Sequence, residues 1–384
     1  MTSRSSFPVI IDTDPGIDDA LALYLALSSY QLDIKLITLV FGNTKINHVT
    51  RNIITLFDVI DKEIEYLKSA PPPNQIDPQQ WDKERKILLN RFEWSKPIVA
   101  IGADKPVKAV ECFGTYFHGS DGFGQIHTTH PHYAPENWEN LKSDRYAMSS
   151  RNAVDEILYQ LQNNPPFTIT IIGLGGAINS CGNVTPCAEF NFFVDPDAAN
   201  ILAEATKGFS PSETIQNKIE KINRKEILPL HFTVLPINVS SNVFLSRAVF
   251  TKYITSLNTP LSIFISVFID HAFKKMQELC GTNGLELHDP AAIALAIDML
   301  SKNTQSYTSE FVDMKVEYQG IYTRGMAIVD TRPKGFSSTK SAQETLKIWD
   351  DVNNVEIINS YNSKSFIDNF FKITFNVDYS EENI

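Results

Sequence analysis

Residues 7–27 read FPVIIDTDPGIDDALALYLAL and contain four aspartates within eight positions, Asp12, Asp14, Asp18 and Asp19. The apolar run before the aspartates predicts a buried strand, and the apolar run after them predicts a buried helix. The aspartates therefore lie where a strand ends and a helix begins. In open α/β sheets this edge of the sheet is where ligands bind.

The same alternation of strand and helix continues along the chain. Runs rich in β-branched residues predict further strands, and helical patterns separate them. The predicted strands are Val9–Ile11, Ile34–Phe41, Ile98–Ile101, Thr168–Ile172 and Phe232–Ile237, and the predicted helices include Asp18–Leu27, Ile46–Ile60 and Asn152–Gln162. This order predicts an α/β fold with an open, mainly parallel, doubly wound (Rossmann-like) sheet.

The 384 residues are expected to form a single domain, residues 1–384, with additions to its core. Two polar stretches, residues 70–97 and 207–229, interrupt the alternation and are predicted to be surface insertions, the first with a short helix. Residues 337–384 form a C-terminal extension. Its aromatic residues predict that it packs onto the body of the protein: Trp349, Phe366, Phe370 and Phe371.

The net charge indicates which partners are unlikely to bind, and the cysteine pattern indicates the cellular compartment. The net charge is −11 and the sequence has no cluster of Lys and Arg, so neither nucleic acid nor an anionic membrane surface is an expected partner. No apolar run approaches the ~20 residues of a membrane span. The four cysteines form no C-x-x-C pair, which suits a reducing compartment, and a cytoplasmic location is expected.

The aspartate cluster itself predicts a metal site. Four carboxylates at one junction repel one another unless a cation is present, and hard divalent cations prefer oxygen ligands. The alternative is structural, because Asp is a good helix N-cap and acidic residues suit the first turn of a helix. That explanation accounts for one or two of the four residues.

Other motifs of turn or cap residues follow strands or lie in loops. Each one alone is typical of an ordinary turn or helix cap. They are FGN at 41–43, HGSDGFG at 118–124, GLGG at 173–176, GNVTPCAEFN at 182–191 with DPDAA at 195–199, and HDPAA at 288–292.

Taken together, these motifs resemble the inosine–uridine-preferring nucleoside hydrolase family. The aspartate cluster DTDPGIDDA followed by HDP is the most specific part, and the resemblance extends from Phe7 to about Arg332, except in the two insertions. It implies a ribonucleoside substrate, cleavage of the N-glycosidic bond by water, and a homo-oligomer. It leaves the base preference open.

The resemblance also implies a Ca²⁺ cofactor and a role for each site residue. The Ca²⁺ ligands would be the carboxylates of Asp14, Asp19 and Asp289 and the backbone carbonyl of Leu174. Asp14 would be the general base toward a Ca²⁺-bound water, and His288 would protonate or orient the departing base. The ribose would be held by Asp18, Asn43, Asn183, Glu189 and Asn191. His118 lies on a loop expected near the pocket.

One departure from the family pattern concerns the connection after Gly176. Five residues separate Gly176 from Gly182, whereas the family has a helix and a strand there, and a parallel crossover needs about a dozen residues. Two explanations stay open: the unit was lost in evolution, or a stretch is missing from the gene model. The loss motivates an alternative function, a homologue that binds metal or nucleoside without hydrolysis. A phosphatase with an Asp-x-Asp nucleophile is disfavoured, because Pro15-Gly16 follows the second Asp instead of Gly-Thr.

Overall fold

The strand predicted before the aspartates lies inside a parallel sheet. The structure, a computed structural model, describes residues 6–72, 77–93, 95–133, 135, 137–174, 182–330, 349 and 354–379. Its strands are β1 (Phe7–Thr13), β2 (Leu32–Leu39), β3 (Ile98–Ile101), β4 (Ala147–Met148), β5 (Thr170–Gly173), β6 (Phe232–Val234), β7 (Phe244–Ser246), β8 (Gly284–Glu286), β9 (Tyr307–Val312), β10 (Met314–Val316), β11 (Ala327–Val329) and β12 (Val355–Tyr361).

The helices lie between these strands and after the last of them. They are α1 (Ile17–Ser28), α2 (Ile46–Ser69), α3 (Pro78–Asn90), α4 (Thr115–His118), α5 (Ile126–Thr129), α6 (Ala153–Asn163), α7 (Phe190–Val194), α8 (Pro196–Glu204), α9 (Ile215–Asn223), α10 (Ile237–Ser240), α11 (Arg247–Tyr253), α12 (Pro260–Cys280), α13 (His288–Leu300) and α14 (Ser363–Phe375).

The main sheet has the order β4-β3-β2-β1-β5, and every neighbouring pair is parallel. Asp12 of β1 pairs with Thr38 of β2 on one side and with Gly173 of β5 on the other. The predicted α/β fold with a mainly parallel sheet is confirmed. The register places the end of β1 beside the ends of both neighbours, so residues following these three strands meet at one edge.

The predicted strand Phe232–Ile237 is shorter than expected and lies elsewhere. Strand β6 ends at Val234, and α10 begins at Ile237 directly after Pro236. β6 pairs with β12 in a second sheet of order β6-β12-β9. Its neighbour comes from the C-terminal extension, more than a hundred residues later, and local sequence patterns do not reveal such a partner.

The largest hydrophobic cluster draws on both ends of the chain. Helix α1 is buried on nearly its whole surface and packs against α13 and α14. A helix that is apolar all round needs this kind of enclosure. The C-terminal extension provides part of it, because Phe366, Phe370 and Phe371 are at most 1% exposed. The prediction that these three aromatic residues pack onto the body is confirmed.

The two predicted insertions are helical and largely exposed. Helix α3 lies in the first and buries Trp81 alone among its residues, with the indole N–H donating to the carbonyl of Ala70. Helix α9 lies in the second and has no buried residue. In the described part of the chain, no helix combines the length and the apolar character needed to cross a membrane.

Candidate active site

The aspartates lie at the carboxyl edge of the main sheet, between β1 and α1. Asp12 belongs to β1, Asp14 follows it, and Asp18 and Asp19 occupy the first turn of α1. Asp289 reaches the same place from the first turn of α13, the helix that packs against α1. Two helix starts and a strand end thus bring four of the predicted site carboxylates together.

Three of these carboxylates form a compact group of potential metal ligands. Oxygen atoms of Asp18, Asp19 and Asp289 lie within 4.8 Å of one another. Burial and the neighbouring aspartates raise the pKa of Asp289 well above its ordinary value. Burial likewise raises the pKa of Asp19, and the charge of Asp18 adds to this effect. Ionising all three carboxylates is therefore unfavourable, because the negative charges repel one another and are buried. A cation bound among them would offset this repulsion.

One atom of this group also lacks a protein partner. Oδ1 of Asp18 is buried and has no hydrogen bond among the described residues. A buried acceptor without a donor is costly, and a bound cation or a ligand hydroxyl would satisfy it. The donor set is all oxygen, as hard divalent cations prefer. The residues present therefore fit a site for a hard divalent cation, the class to which Ca²⁺ belongs.

Asp14 is tied to this group through Asn43. The backbone N–H of Asn43 donates to Oδ2 of Asp14 at 2.5 Å, and its side-chain amide donates to Oδ2 of Asp19 at 2.7 Å. Burial, followed by the charge of Asp19, raises the pKa of Asp14 well above its ordinary value. A carboxylate with a raised pKa is suited to accepting a proton.

Gly16 allows the side chains of Asn43 and His118 to approach the start of α1 closely. A Cβ at Gly16 would lie 2.6 Å from the amide nitrogen of Asn43 and 2.6 Å from Nδ1 of His118. Both side chains are buried, so neither can move aside easily. The backbone N–H of Gly16 also donates to Oδ2 of Asp19 at 3.0 Å. The glycine therefore lets Asn43 and His118 close over the start of α1.

Leu174 lies at the same edge of the sheet. It follows β5 directly, and its backbone N–H donates to the carbonyl of Asp12 at 3.1 Å. This bond continues the β1–β5 pairing by one residue and brings the backbone of Leu174 alongside the strand that carries the aspartates.

The residues of the loop before α7 are organised by their own backbone. Glu189 caps α7 by accepting from the N–H groups of Asn191 and Phe192, and the side-chain amide of Asn191 donates to Glu189. Oδ1 of Asn183 accepts from the N–H of Phe190 at 2.9 Å. Burial raises the pKa of Glu189, and the charge of His288 opposes the rise.

His118 forms part of the wall of this site. Its Nδ1 accepts from the N–H of Ile17 at 3.2 Å and lies 4.0 Å from Oδ1 of Asp18. Burial lowers the pKa of His118 to about 4, although Asp19 acts in the opposite direction. The ring is therefore neutral at pH 7, and one of its nitrogens positions the start of α1.

Sequence patterns missed several residues that support the site. The hydroxyl of Thr13 donates to Asp19 at 2.5 Å, and the hydroxyl of Thr38 donates to Asp12. Ser240 and Glu286 contact the ring of His288. Thr38 could have been found by aligning β1 with β2, because it pairs with Asp12 in that register. Ser240 and Glu286 lie on elements that no local sequence pattern connects with His288.

Comparison with known proteins agrees with this geometry. The sequence profile described as inosine-uridine preferring nucleoside hydrolase matches residues 9–175 and 170–368. The chain belongs to this family. It is therefore assigned to a family of enzymes, the nucleoside hydrolases, by a match that covers most of its length.

Individual relatives are similar over most of their length. The pyrimidine-specific ribonucleoside hydrolase RihA of Escherichia coli K12 is 26% identical over 338 residues, covering 85% of this chain and 89% of that protein. The inosine-uridine preferring nucleoside hydrolase of Leishmania major is 26% identical over 349 residues, covering 84% and 88%. The structure of a purine-preferring ribonucleoside hydrolase from Gardnerella vaginalis superposes with a TM-score of 0.64 at 21% identity, covering 96% and 98%.

The shortened connection after β5 lies partly outside the described residues. Residues 175–181, which include Gly176, are not described, and residues 182–189 contain no helix or strand. The two profile segments meet within residues 170–175, beside this connection. In the described part of the chain β5 is the edge of the main sheet, and Ile171 is 49% exposed.

Proposed function

We propose that this chain hydrolyses the N-glycosidic bond of ribonucleosides, giving ribose and a free base, with Ca²⁺ as cofactor and in the cytoplasm. The observation that supports the proposal is the group formed by half-buried Asp18 and buried Asp19 and Asp289 at the carboxyl edge of the sheet. Family membership supports a nucleoside as the substrate. The names of the relatives cover pyrimidine, purine and inosine–uridine preferences, so the base is left open.

The metal ligands in this proposal are the carboxylates of Asp14, Asp19 and Asp289 and the carbonyl of Leu174. A Ca²⁺ ion, when bound, supplies positive charge that makes a nearby water molecule more acidic. Asp18, whose Oδ1 has no hydrogen-bond partner among the described residues, is assigned to the ribose hydroxyls.

Asp14 takes the proton of the attacking water in this proposal. The hydrogen bond that the backbone N–H of Asn43 donates to Asp14 fixes its carboxylate, which suits a general base. The positive charge that develops on the sugar is favoured by the surrounding carboxylates. Asn43, Asn183, Glu189 and Asn191 are assigned to the sugar, and His288 to the departing base.

The alternative function is a homologue that binds metal or nucleoside without hydrolysis. The shortened connection after β5 favours it, because the family places a helix and a strand there. The retention of Asp14, Asp19 and Asp289 favours the enzyme.

Ribose release distinguishes the two functions. Purified protein is incubated with uridine, cytidine, inosine and adenosine, first with Ca²⁺ and then with a chelator, and reducing sugar is assayed. We expect chelator-sensitive ribose from at least one nucleoside. A protein that melts cooperatively and is stabilised by Ca²⁺, yet releases no ribose, is the binding homologue. Light scattering tests the homo-oligomer that family resemblance implies.

A further inference from the structure

The turn between β10 and β11 packs against the segment that carries Glu189 and Asn191. This turn, residues 317–326, joins two antiparallel strands. Its own backbone closes it, because the N–H of Gly325 donates to the carbonyl of Glu317 at 2.7 Å. A turn that is fixed in this way provides a firm support for a neighbouring segment.

Arg324 and Gly325 hold the end of α7 against this turn. Nη2 of Arg324 donates to the carbonyl of Phe193 at 3.2 Å, and the guanidinium lies over the Phe193 ring, 4.9 Å from the ring centroid. Gly325 has a φ of +80°, which favours glycine, and a Cβ there would lie 2.7 Å from Cα of Phe193. The backbones of the turn and of α7 are therefore in close contact at this point.

A second contact lies on the other side of the two site residues. Sγ of Cys187 donates to the carbonyl of Tyr322 at 3.1 Å. Cys187 is two residues before Glu189, and Phe193 is two residues after Asn191. The turn therefore contacts this segment on both sides of the residues that are assigned to the sugar.

Helix α7 depends on contacts from outside, because it has only five residues. Helices shorter than ~12–15 residues are marginal on their own, and the last carbonyls of a helix have no partner within it. Glu189 caps the first turn of α7, and Arg324 donates to a carbonyl near its end. The N–H of Phe193 donates to the carbonyl of Glu189 at 2.9 Å. A shift of Phe193 would therefore move Glu189 as well.

We propose that Arg324 is a positioning residue for the sugar: by holding Phe193, it fixes Glu189 and Asn191 in the orientation that binds the ribose hydroxyls. The inference rests on the proposed function, which assigns Glu189 and Asn191 to the sugar. Arg324 acts through α7. Its planar guanidinium both donates to the carbonyl and stacks on the aromatic ring, and the compact ammonium of Lys reproduces only part of this contact.

The test compares Arg324→Met with Arg324→Lys. The first removes the donor and the charge, and the second keeps both without the planar group. Each variant is assayed with a ribonucleoside that the wild type hydrolyses and with its 2′-, 3′- and 5′-deoxy analogues. We expect Arg324→Met to lower kcat/KM for the ribonucleoside by about tenfold or more, because misplaced groups bind the sugar poorly. For at least one deoxy analogue the loss should be smaller, since the hydroxyl that Glu189 or Asn191 binds is already absent. Arg324→Lys should recover part of the ribonucleoside activity.

A second measurement does not depend on turnover. Hydrogen exchange of the amide of Phe193, which donates to Glu189, reports whether α7 stays in place. We expect this amide to exchange about tenfold faster or more in Arg324→Met, while the amides of β1 and β2 exchange as in the wild type. Arg85→Met is the matched control, because Arg85 also donates to a backbone carbonyl, that of Lys68, at 3.2 Å, but lies on α3. It should change neither the exchange of Phe193 nor the preference among the sugars.

The outcomes separate this inference from the proposed function. Unchanged exchange at Phe193 in Arg324→Met overturns the positioning role. An equal loss of kcat/KM for the ribonucleoside and all its deoxy analogues also overturns it, because such a loss is not directed at the sugar. If the wild type hydrolyses no nucleoside, the proposed function fails. The exchange measurement then still decides whether Arg324 holds α7.

Discussion

Replacing Asp289 by Asn is expected to stabilise the protein without metal and to abolish its response to Ca²⁺. Asp289 lies within 4.8 Å of Asp18 and Asp19, and all three are raised in pKa. Because the pKa of Asp289 is higher in the folded state than in the unfolded state, the folded state binds a proton more readily. The free energy of unfolding is therefore reduced by this group: the reduction is absent below the ordinary pKa of 3.8 and grows as the pH rises above it.

Two physical limits set the magnitude. At an effective dielectric constant of about 20, two charges 4.8 Å apart repel by about 3.5 kcal/mol. Proton uptake caps the cost, because keeping a carboxyl of ordinary pKa 3.8 protonated at pH 7 costs about 4 kcal/mol. The amide of Asn is neutral and can donate to Asp19, so part of this cost is recovered. We expect a gain of about 1–3 kcal/mol, or about 1–4 °C in Tm for a chain of this length.

The assay is thermal unfolding at pH 7 in a chelator and again in excess Ca²⁺. At 100 times its Kd, a ligand stabilises the folded state by about 2.7 kcal/mol. The wild type is expected to gain this stability and Asp289→Asn to gain none of it. Asp298→Asn is the matched control, since Asp298 lies on the same helix, is 8% exposed like Asp289, and accepts from Asn303 and Tyr361. It should lose stability and keep the Ca²⁺ response. The reasoning would be refuted if Asp289→Asn had a lower Tm than the wild type in chelator. It would also be refuted if Ca²⁺ stabilised Asp289→Asn as much as it stabilises the wild type.

Three further predictions concern the base, a buried histidine and the C-terminal extension. Asp14→Asn should keep the fold by circular dichroism and lower the rate of base release by about a hundredfold or more, because it removes the proposed general base; retained turnover would exclude that role. Burial lowers the pKa of His127 to about 4, so the unfolded state binds an extra proton between pH 6.5 and 4, and stability should fall by about 3 kcal/mol as the pH falls across that window. Urea unfolding should show a smaller loss of stability over this pH range in His127→Gln than in the wild type, whereas the control His130→Gln should lose as much as the wild type. Equal losses in His127→Gln and the wild type would contradict the prediction. Phe370→Ala should cost about 3–5 kcal/mol in urea unfolding, because Phe370 is 0% exposed in the main core, and a loss below about 1 kcal/mol would mean that α14 is dispensable.

The parallel sheet and the position of the aspartates were predictable from local patterns. Continuous apolar runs identified β1, β2, β3 and α1, because elements that are buried on nearly all sides carry few polar residues. The position of Asp12, Asp14, Asp18 and Asp19 at a strand end followed from the same pattern. The aromatic residues of the C-terminal extension predicted that it packs onto the body, and α14 does so.

Tertiary structure decided which of these residues meet. The approach of Asp289 to Asp18 and Asp19 depends on α13 packing against α1, across about 270 residues of chain. The pairing of β6 with β12 likewise joins segments that share no local signal. The contacts of Ser240 and Glu286 with the ring of His288 also depend on the packing of α10 and β8 beside the start of α13. Local sequence thus determined the elements and the types of functional side chain, whereas long-range packing, which depends on shape and burial, determined the distances between them.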